Sequence, residues 1–97
     1  MLTIETGPDG VIVVAGRLDA AQAQAAQTVL DGVAGTATLD CARLEYISSA
    51  GLGVLLKTQK RLLGSGGKLR LARLSPHLRD IFVYSGFDQL FEIDPAA

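Results

Sequence analysis

Residues Thr36–Leu63 have the sequence TATLDCARLEYISSAGLGVLLKTQKRLL. Thr36–Cys41 is predicted to be a β-strand, and the apolar residues Leu44 and Ile47 are predicted to pin the loop after it to the core. From Ser48 to about Leu63 the apolar residues recur at helical spacing. The inward face of this helix is predicted to comprise Leu52, Leu55, Leu56, Gln59, Leu62 and Leu63. The outward face, towards water or a partner, is predicted to comprise Gly53, Lys57, Lys60 and Arg61.

Two strands and a helix are predicted on the N-terminal side. Leu2–Thr6 and Val11–Ala15 favour strands, and the turn-forming sequence Gly7-Pro8-Asp9-Gly10 between them predicts a hairpin. Asp19 is expected to cap the alanine-rich helix that follows, because its carboxylate can accept a hydrogen bond from a free amide of the first turn. The buried stripe of that helix is predicted to comprise Ala26, Val29, Leu30 and Val33, with Gly35 as its stop.

Three further elements are predicted on the C-terminal side. Gly64-Ser65-Gly66-Gly67 ends the second helix, and Lys68–Ala72 alternates as a strand. Ser75 followed by Pro76 is a typical opening of a helix, which has Leu78, Ile81 and Phe82 on its buried face and ends at Gly86. Phe91–Ile93 is predicted to be a short last strand. The order ββαβαβαβ predicts an α/β fold with a mixed β-sheet flanked by helices, in a single domain over residues 1–97.

Composition excludes several classes of function. Of the 97 residues 48% are hydrophobic and 20% charged, which excludes intrinsic disorder, and a net charge of −1 without a basic stripe argues against nucleic-acid binding. We find no apolar run long enough to span a membrane and no signal peptide, so a cytoplasmic location is expected. A lone Cys41 predicts neither an internal disulfide nor a metal site, and no cofactor is expected.

Three segments together resemble the STAS family of anti-sigma-factor antagonists. Gly16-Arg17-Leu18-Asp19 resembles the family's G-E-L-D turn before the first helix. Leu44–Gly53, LEYISSAGLG, resembles its phosphorylation segment, which is usually written D-S-S-G or D-S-T-G followed by Leu-Gly. Leu74–Phe82 with Ser85-Gly86 resembles its third helix and the turn behind it. The resemblance covers roughly residues 10–93. Arg17, Ser48 and Ala50 depart from the pattern, replacing Glu, Asp and a hydroxyl residue in turn.

The resemblance implies a module that switches partners by phosphorylation. The modified residue is Ser49 by register, with Ser48 as the less favoured choice. The partner is an anti-sigma factor that is itself a serine kinase of the GHKL ATPase type, and a separate phosphatase restores the unphosphorylated, binding-competent form. The residues expected to contact the partner are Asp19, Ser48, Ser49, Ala50, Gly51, Gly53 and Lys57. Asp19 is expected near Ser49, because both follow adjacent parallel strands.

Plainer interpretations stay open for the same residues. Ser49 and Asp19 could be ordinary helix caps, Gly51 and Gly53 could allow close helix–sheet packing, and the cations of the second helix could form a solvated face. Catalysis is not expected, because Ile47 stands where the G-x-S-x-G motif of a serine hydrolase needs its first glycine. His77 is expected to be exposed and Cys41 buried. The alternative function is a STAS interaction subunit of a signalling scaffold or transport complex that is not phosphorylated.

Overall fold

The protein is described here by a computed structural model that covers residues 1–7 and 9–94. Pro8, in the predicted hairpin turn, lies outside the described residues. The elements follow the predicted order, with a short 3₁₀ helix added before the last strand. They are β1 (Leu2–Thr6), β2 (Val11–Leu18), α1 (Ala23–Leu30), β3 (Thr36–Ile47), α2 (Ser49–Gly64), β4 (Lys68–Ala72), α3 (Pro76–Ser85), the 3₁₀ helix Phe87–Gln89 and β5 (Glu92–Ile93).

The five strands form one mixed sheet in the order β1-β2-β3-β4-β5. β1 pairs antiparallel with β2, which confirms the predicted hairpin. The other three neighbouring pairs are parallel, because a helix returns the chain to the starting edge of the sheet between them. The carboxyl ends of β2 and β3 consequently lie side by side, and the segments that begin α1 and α2 leave the sheet at the same edge.

Strand β3 is twice as long as predicted, since it continues through Leu44 and Ile47, which were expected to lie in a loop. Both side chains are buried, as expected. The prediction failed because two register shifts against β2, between Val13 and Ala15 and between Gly16 and Arg17, interrupt the simple alternation while pairing continues. Such bulges keep a strand in the sheet while re-aiming its side chains. β2 is correspondingly longer and ends at Leu18, paired with Ile47.

One apolar core joins a single face of the sheet to the helices. Its strand residues occupy alternate positions and its helix residues recur at helical spacing. The members that are at most 2% exposed include Ile12, Leu39, Cys41, Leu69 and Leu71 of the strands and Leu30, Leu55, Leu62, Leu78 and Phe82 of the helices. The predicted buried face of α3 is therefore confirmed at Leu78 and Phe82, with Ile81 packed at the edge of the core.

Two residues predicted to be buried are exposed instead. Val29 of α1 is 46% exposed and Leu63 of α2 is 56% exposed. Gln27 and Thr58 take the contact between these helices, and the Gln27 side-chain amide donates to the Thr58 hydroxyl at 3.4 Å. The rest of both predicted faces is buried or partly buried, and its core members include Ala26, Leu30, Leu55 and Leu62. The apolar pattern gives no weight to a polar pair that satisfies its own hydrogen bonds when buried, so it missed Gln27 and Thr58.

The two polar ends of α3 follow the prediction. The Ser75 hydroxyl accepts a hydrogen bond from the Leu78 amide at 3.2 Å, and Pro76 is the first helical residue. Gly86 ends the helix with φ of 78°, a left-handed conformation that glycine adopts without a steric penalty. Within the described residues, no helix is both long and apolar enough to cross a bilayer.

Candidate functional site

Ser48 is the N-cap of helix α2. Its backbone is extended, and its hydroxyl accepts a hydrogen bond from the Gly51 amide at 3.2 Å. Its carbonyl oxygen accepts the first helical hydrogen bond, from Leu52. The capping role that sequence reasoning allowed for Ser49 therefore belongs to Ser48. The Ser48 hydroxyl is therefore already the acceptor of a hydrogen bond within the protein.

Ser49 is the first residue of α2 and its side chain is exposed. Across the described residues its hydroxyl makes no hydrogen bond, whereas that of Ser48 does. The first amides of a helix have no intrahelical acceptors and carry partial positive charge. The hydroxyl of Ser49 is thus accessible at a position that favours a negative group.

Asp19 follows β2 at the same edge of the sheet. Because Leu18 pairs with Ile47, Asp19 and Ser48 begin the two segments that leave the sheet side by side, as expected. Its predicted role as the cap of α1 is wrong: α1 begins at Ala23 with Gln22 in the cap position. The Asp19 carboxylate instead accepts a hydrogen bond from the Gln22 amide at 3.2 Å and closes a turn ahead of the helix. The prediction started the helix too early because the alanines after Asp19 have a high intrinsic helix propensity.

Arg17 lies beside Asp19, and sequence reasoning did not include it among the partner contacts. Its guanidinium sits 4.3 Å from the centroid of the Tyr46 ring on β3, and one of its nitrogens is 3.9 Å from the Asp19 carboxylate. About half of the Arg17 side chain remains exposed. A cation held over an aromatic face has a restricted position. The only sequence signal for this group was the departure from glutamate in the G-E-L-D pattern.

Gly51 and Gly53 have different surroundings. Gly51 is buried, and a Cβ there would come within 2.5 Å of the Leu18 carbonyl oxygen and 2.9 Å of an Ile47 side-chain carbon. It allows α2 to pack closely against the ends of β2 and β3, so it does not belong to the exposed surface predicted to meet a partner. Gly53 is exposed, and a Cβ there would have no neighbour within 4 Å.

The outward face of α2 runs from Ser49 towards the C-terminal end of the helix. Gly53, Lys57 and Lys60 are exposed on it, as predicted, and Ala50 is exposed as well. Arg61 is also exposed, but its guanidinium donates to the carbonyl oxygens of Leu30 at 2.9 Å and Val33 at 2.7 Å. Its side chain therefore ties the end of α1 to α2, which corrects the view of Arg61 as part of a free face.

Cys41 is 1% exposed, and burial, together with the charge of Asp40, raises the pKa of its thiol to about 12. It is a buried apolar residue, as predicted, and His77 is exposed. Within residues 1–7 and 9–94 no group of three or more histidine, cysteine, aspartate or glutamate side chains could hold a metal ion.

Residues 2–92 match the family model described as "Mlab, STAS domain". The chain belongs to the STAS family. Over 55 residues, 57% of the chain, this STAS protein is 49% identical to a Bordetella bronchiseptica protein named as an anti-sigma factor antagonist, BtrV. That alignment covers 47% of the relative, about half of its length.

Solved structures share the fold of this STAS protein. An anti-sigma factor antagonist from Mycobacterium paratuberculosis superposes with a TM-score of 0.78 at 26% identity, over 99% of this chain and 86% of that one. The Bacillus cell fate determinant SpoIIAA in its phosphorylated form superposes with a TM-score of 0.70 at 22% identity, over 98% of this chain and 92% of that one. The predicted family and fold are both confirmed.

Proposed function

We propose that this STAS protein is an anti-sigma-factor antagonist controlled by phosphorylation of Ser49. The unphosphorylated form binds an anti-sigma factor, a serine kinase of the GHKL ATPase type, through the start and exposed face of α2, and thereby releases the sigma factor. Phosphorylation blocks this binding and a separate phosphatase restores it. The observation that carries the proposal is the exposed hydroxyl of Ser49 at the first position of α2, beside a cap already provided by Ser48.

The different roles of the two serines, Ser48 as the helix cap and Ser49 as an exposed residue, favour Ser49 as the modified residue. A kinase acting on Ser48 would have to draw its hydroxyl away from the Gly51 amide, and loss of this capping hydrogen bond would cost the helix about 1 kcal/mol. A phosphate on Ser49 requires no such loss. It places an anion at a helix N-terminus, where the free amides and the helix dipole stabilise negative charge. The fold can therefore carry the modification without rearrangement.

The same phosphate is incompatible with a closely docked partner. It adds about −1.5 to −2 charges at pH 7, and an unpaired charge that is desolvated at an interface costs several kcal/mol. Reversing a 99:1 ratio of bound to free protein needs about 5.5 kcal/mol. Desolvation of the phosphate, together with steric crowding at Ser49, can supply a free energy of this size without a conformational change.

The proposed contact surface combines both segments at the carboxyl edge of β2 and β3. Gly53 leaves an open patch of helix backbone next to Ser49, where a partner can approach closely. Gly51 does not belong to this contact surface, because it is buried. The proposed contact residues are Asp19, Ser48, Ser49, Ala50, Gly53 and Lys57.

The remaining parts of the proposal concern the whole chain. We infer that residues 1–97 form a single STAS domain that acts in the cytoplasm as a binding module and not as an enzyme. Two of the proteins it resembles are named as anti-sigma factor antagonists. A buried, weakly acidic Cys41 thiol supplies no accessible nucleophile.

The decisive experiment compares Ser49→Asp and Ser49→Ala in binding to purified anti-sigma factors of the GHKL ATPase type from the same genome. Calorimetry should show wild-type affinity for Ser49→Ala. For Ser49→Asp it should show an affinity at least a hundredfold lower, which corresponds to about 2.7 kcal/mol of binding free energy. Thr36→Asp adds the same charge to an exposed residue at the opposite end of β3 and should bind like wild type. Equal, tight binding of both Ser49 variants would contradict the switch.

Gly53→Ala offers a second test of the contact surface. The methyl group meets no atom of the protein, so the variant should fold at least as well as wild type. It should nevertheless bind the anti-sigma factor more weakly, because it fills the space left for the partner. Unchanged affinity would remove Gly53 from the proposed surface.

The alternative function is a STAS interaction subunit of a signalling scaffold or transport complex without phosphorylation. It is favoured by Ser48, which replaces the aspartate usual before the modified serine in the family's motif. Incubating the protein with ATP and each candidate kinase, followed by mass spectrometry, separates the two functions. A phosphate on Ser49 supports the switch, whereas an unmodified chain in every reaction supports the alternative.

A further inference from the structure

The exposed face of α2 concentrates positive charge that the protein does not neutralise. Helix α2 contains Lys57, Lys60 and Arg61 and no aspartate or glutamate. The chain as a whole has a net charge of −1, so the residues outside α2 sum to −4. The cations of this protein are thus unevenly distributed, and α2 opposes the charge of the rest of the chain.

The other cations are mostly engaged with acidic side chains. Arg17, Lys68, Arg70 and Arg73 each form an ion pair with a carboxylate. Within the part of the chain that the structure describes, the exposed ammonium groups of Lys57 and Lys60 have no carboxylate at ion-pair distance. Unpaired lysines are free to contribute their full charge to a docked surface. We call Lys57 and Lys60 the basic face of α2.

The basic face lies on the same stripe of the helix as Ser49. Ser49, Gly53, Lys57 and Lys60 follow spacings of four, four and three residues, which places them along one side of a helix. At a rise of about 1.5 Å per residue, Lys57 lies about 12 Å and Lys60 about 16 Å along the axis from Ser49. The hydroxyl of Ser49 therefore lies at one end of a stripe that carries Lys57 and Lys60 at the other end. Gly53 lies between them and has no side chain.

Arg17 lies at the same edge of the sheet as the start of α2, and its charge is already paired with Asp19. Arg17 precedes Leu18, whose carbonyl oxygen accepts the hydrogen bond of the Ser48 amide at 3.0 Å. The Tyr46 ring and the Asp19 carboxylate restrict its guanidinium. The two substitutions relative to the family motif, Arg17 for glutamate and Ser48 for aspartate, both make this edge more positive.

We infer that the partner surface that docks on α2 is acidic, with carboxylates facing Lys57 and Lys60. The inference rests on the proposed function and specifies the chemistry of its partner. A protein partner fits better than a polyanion, since the overall charge is negative and nucleic acid or an anionic membrane is bound by larger clusters of cations. Phosphorylation of Ser49 then adds negative charge at one end of the stripe, where it weakens the attraction between the stripe and the partner's carboxylates.

The test measures the affinity and association rate of charge variants for the same GHKL-type anti-sigma factor. Reversing both charges, Lys57→Glu with Lys60→Glu, should weaken binding by a factor of about ten to a hundred, mainly through slower association. Raising NaCl from about 50 mM to about 500 mM should slow wild-type association at least several-fold. Lys57→Gln with Lys60→Gln should give an intermediate loss and guards against misfolding of the reversed variant.

Arg43→Glu is the matched control, because Arg43 is an exposed cation on β3 with no carboxylate partner among the described residues. It should bind within about twofold of wild type, because Arg43 is not part of the proposed contact surface and salt screens charges that lie outside an interface. If the lysine variants bind like wild type while Ser49→Asp does not, the acidic-partner inference is overturned and the proposed switch survives. If Ser49→Asp also binds normally, the proposed function itself fails.

Two probes test the other polyanions that a basic helix could meet. Vesicles of phosphatidylserine and phosphatidylcholine, and a random-sequence DNA duplex, should each bind wild type no better than the reversed lysine variant. Binding of either probe that depends on Lys57 and Lys60, together with lysine-independent binding of the anti-sigma factor, would overturn the inference.

Discussion

The amide of Ser48 donates to the carbonyl oxygen of Leu18 at 3.0 Å and joins the end of β3 to the end of β2. The same oxygen lies only 2.5 Å from where a Cβ of Gly51 would stand. The first turn of α2 is therefore seated directly on the ends of two strands. Ser49 therefore faces outward, whereas Ser48 caps the helix and Gly51 packs against the strand ends.

The two glycines of α2 should respond oppositely to alanine. Gly51→Ala is expected to lower the free energy of unfolding by about 1–3 kcal/mol, because the added methyl group clashes with Leu18 and Ile47. Gly53→Ala is expected to raise it by about 0.5–1 kcal/mol, since the site is open and alanine favours helix. Urea denaturation of both variants measures the difference. Equal effects at the two positions would mean that α2 is not seated on the strands as described.

The two serines at the start of α2 should differ in their effect on stability. Ser48→Ala removes the hydroxyl that accepts from the Gly51 amide and is expected to cost about 1 kcal/mol. Ser49→Ala removes an exposed hydroxyl and should change stability by less than about 0.5 kcal/mol. Thermal unfolding followed by circular dichroism distinguishes the two. A larger loss for Ser49→Ala than for Ser48→Ala would assign the cap to Ser49 instead.

The Asp40–Arg73 pair should make stability depend on acidity. The hydrogen bond from the Arg73 guanidinium holds the pKa of the Asp40 carboxyl below its ordinary value, with a further contribution from the Ala42 amide. A group whose pKa is lower in the folded state contributes stability above its unfolded pKa, about 3.9. That contribution is lost as the pH falls through the folded value.

The measurement is the free energy of unfolding from about pH 6 down to about pH 2. Asp40→Asn keeps an acceptor for the Ala42 amide but cannot ionise, so its stability should fall less steeply below about pH 4 than that of wild type. The effect should be modest, because Arg73 is 61% exposed and solvent screens the pair. Parallel curves for the variant and wild type would exclude the pair as a source of acid sensitivity.

Arg61 should contribute to stability although its neighbour Lys60 should not. The Arg61 guanidinium donates to the carbonyl oxygens of Leu30, the last residue of α1, and of Val33 in the segment that follows. Arg61→Ala is expected to cost about 1–3 kcal/mol and to speed hydrogen exchange in the last turn of α1. Lys60→Ala, an exposed change on the same helix, should stay within about 0.5 kcal/mol of wild type. Similar losses in both would show that helix charge, and not the carbonyl contacts, is responsible.

Local signals in the sequence were enough to predict most of the fold. Turn residues, a serine–proline helix start at Ser75 and a glycine stop at Gly86 act over a few residues, and the structure contains them where expected. The resemblance to the STAS motif placed the candidate site at the start of α2. The prediction of β3 was too short, because bulges disturb the alternation on which strand prediction depends.

Contacts between distant segments decided what each residue at the site does. Whether a glycine is buried depends on what packs against it, so Gly51 and Gly53 could be told apart only once Leu18 and Ile47 were in place. Ser48 is the cap and Ser49 the first residue of α2, so the hydroxyl of Ser48 accepts a hydrogen bond from Gly51 and that of Ser49 is exposed. Local patterns thus predicted the order of the elements and the segment that holds the proposed phosphorylation site. Packing determined which hydroxyl and which cations face outward, because exposure is a property of the assembled sheet and helices.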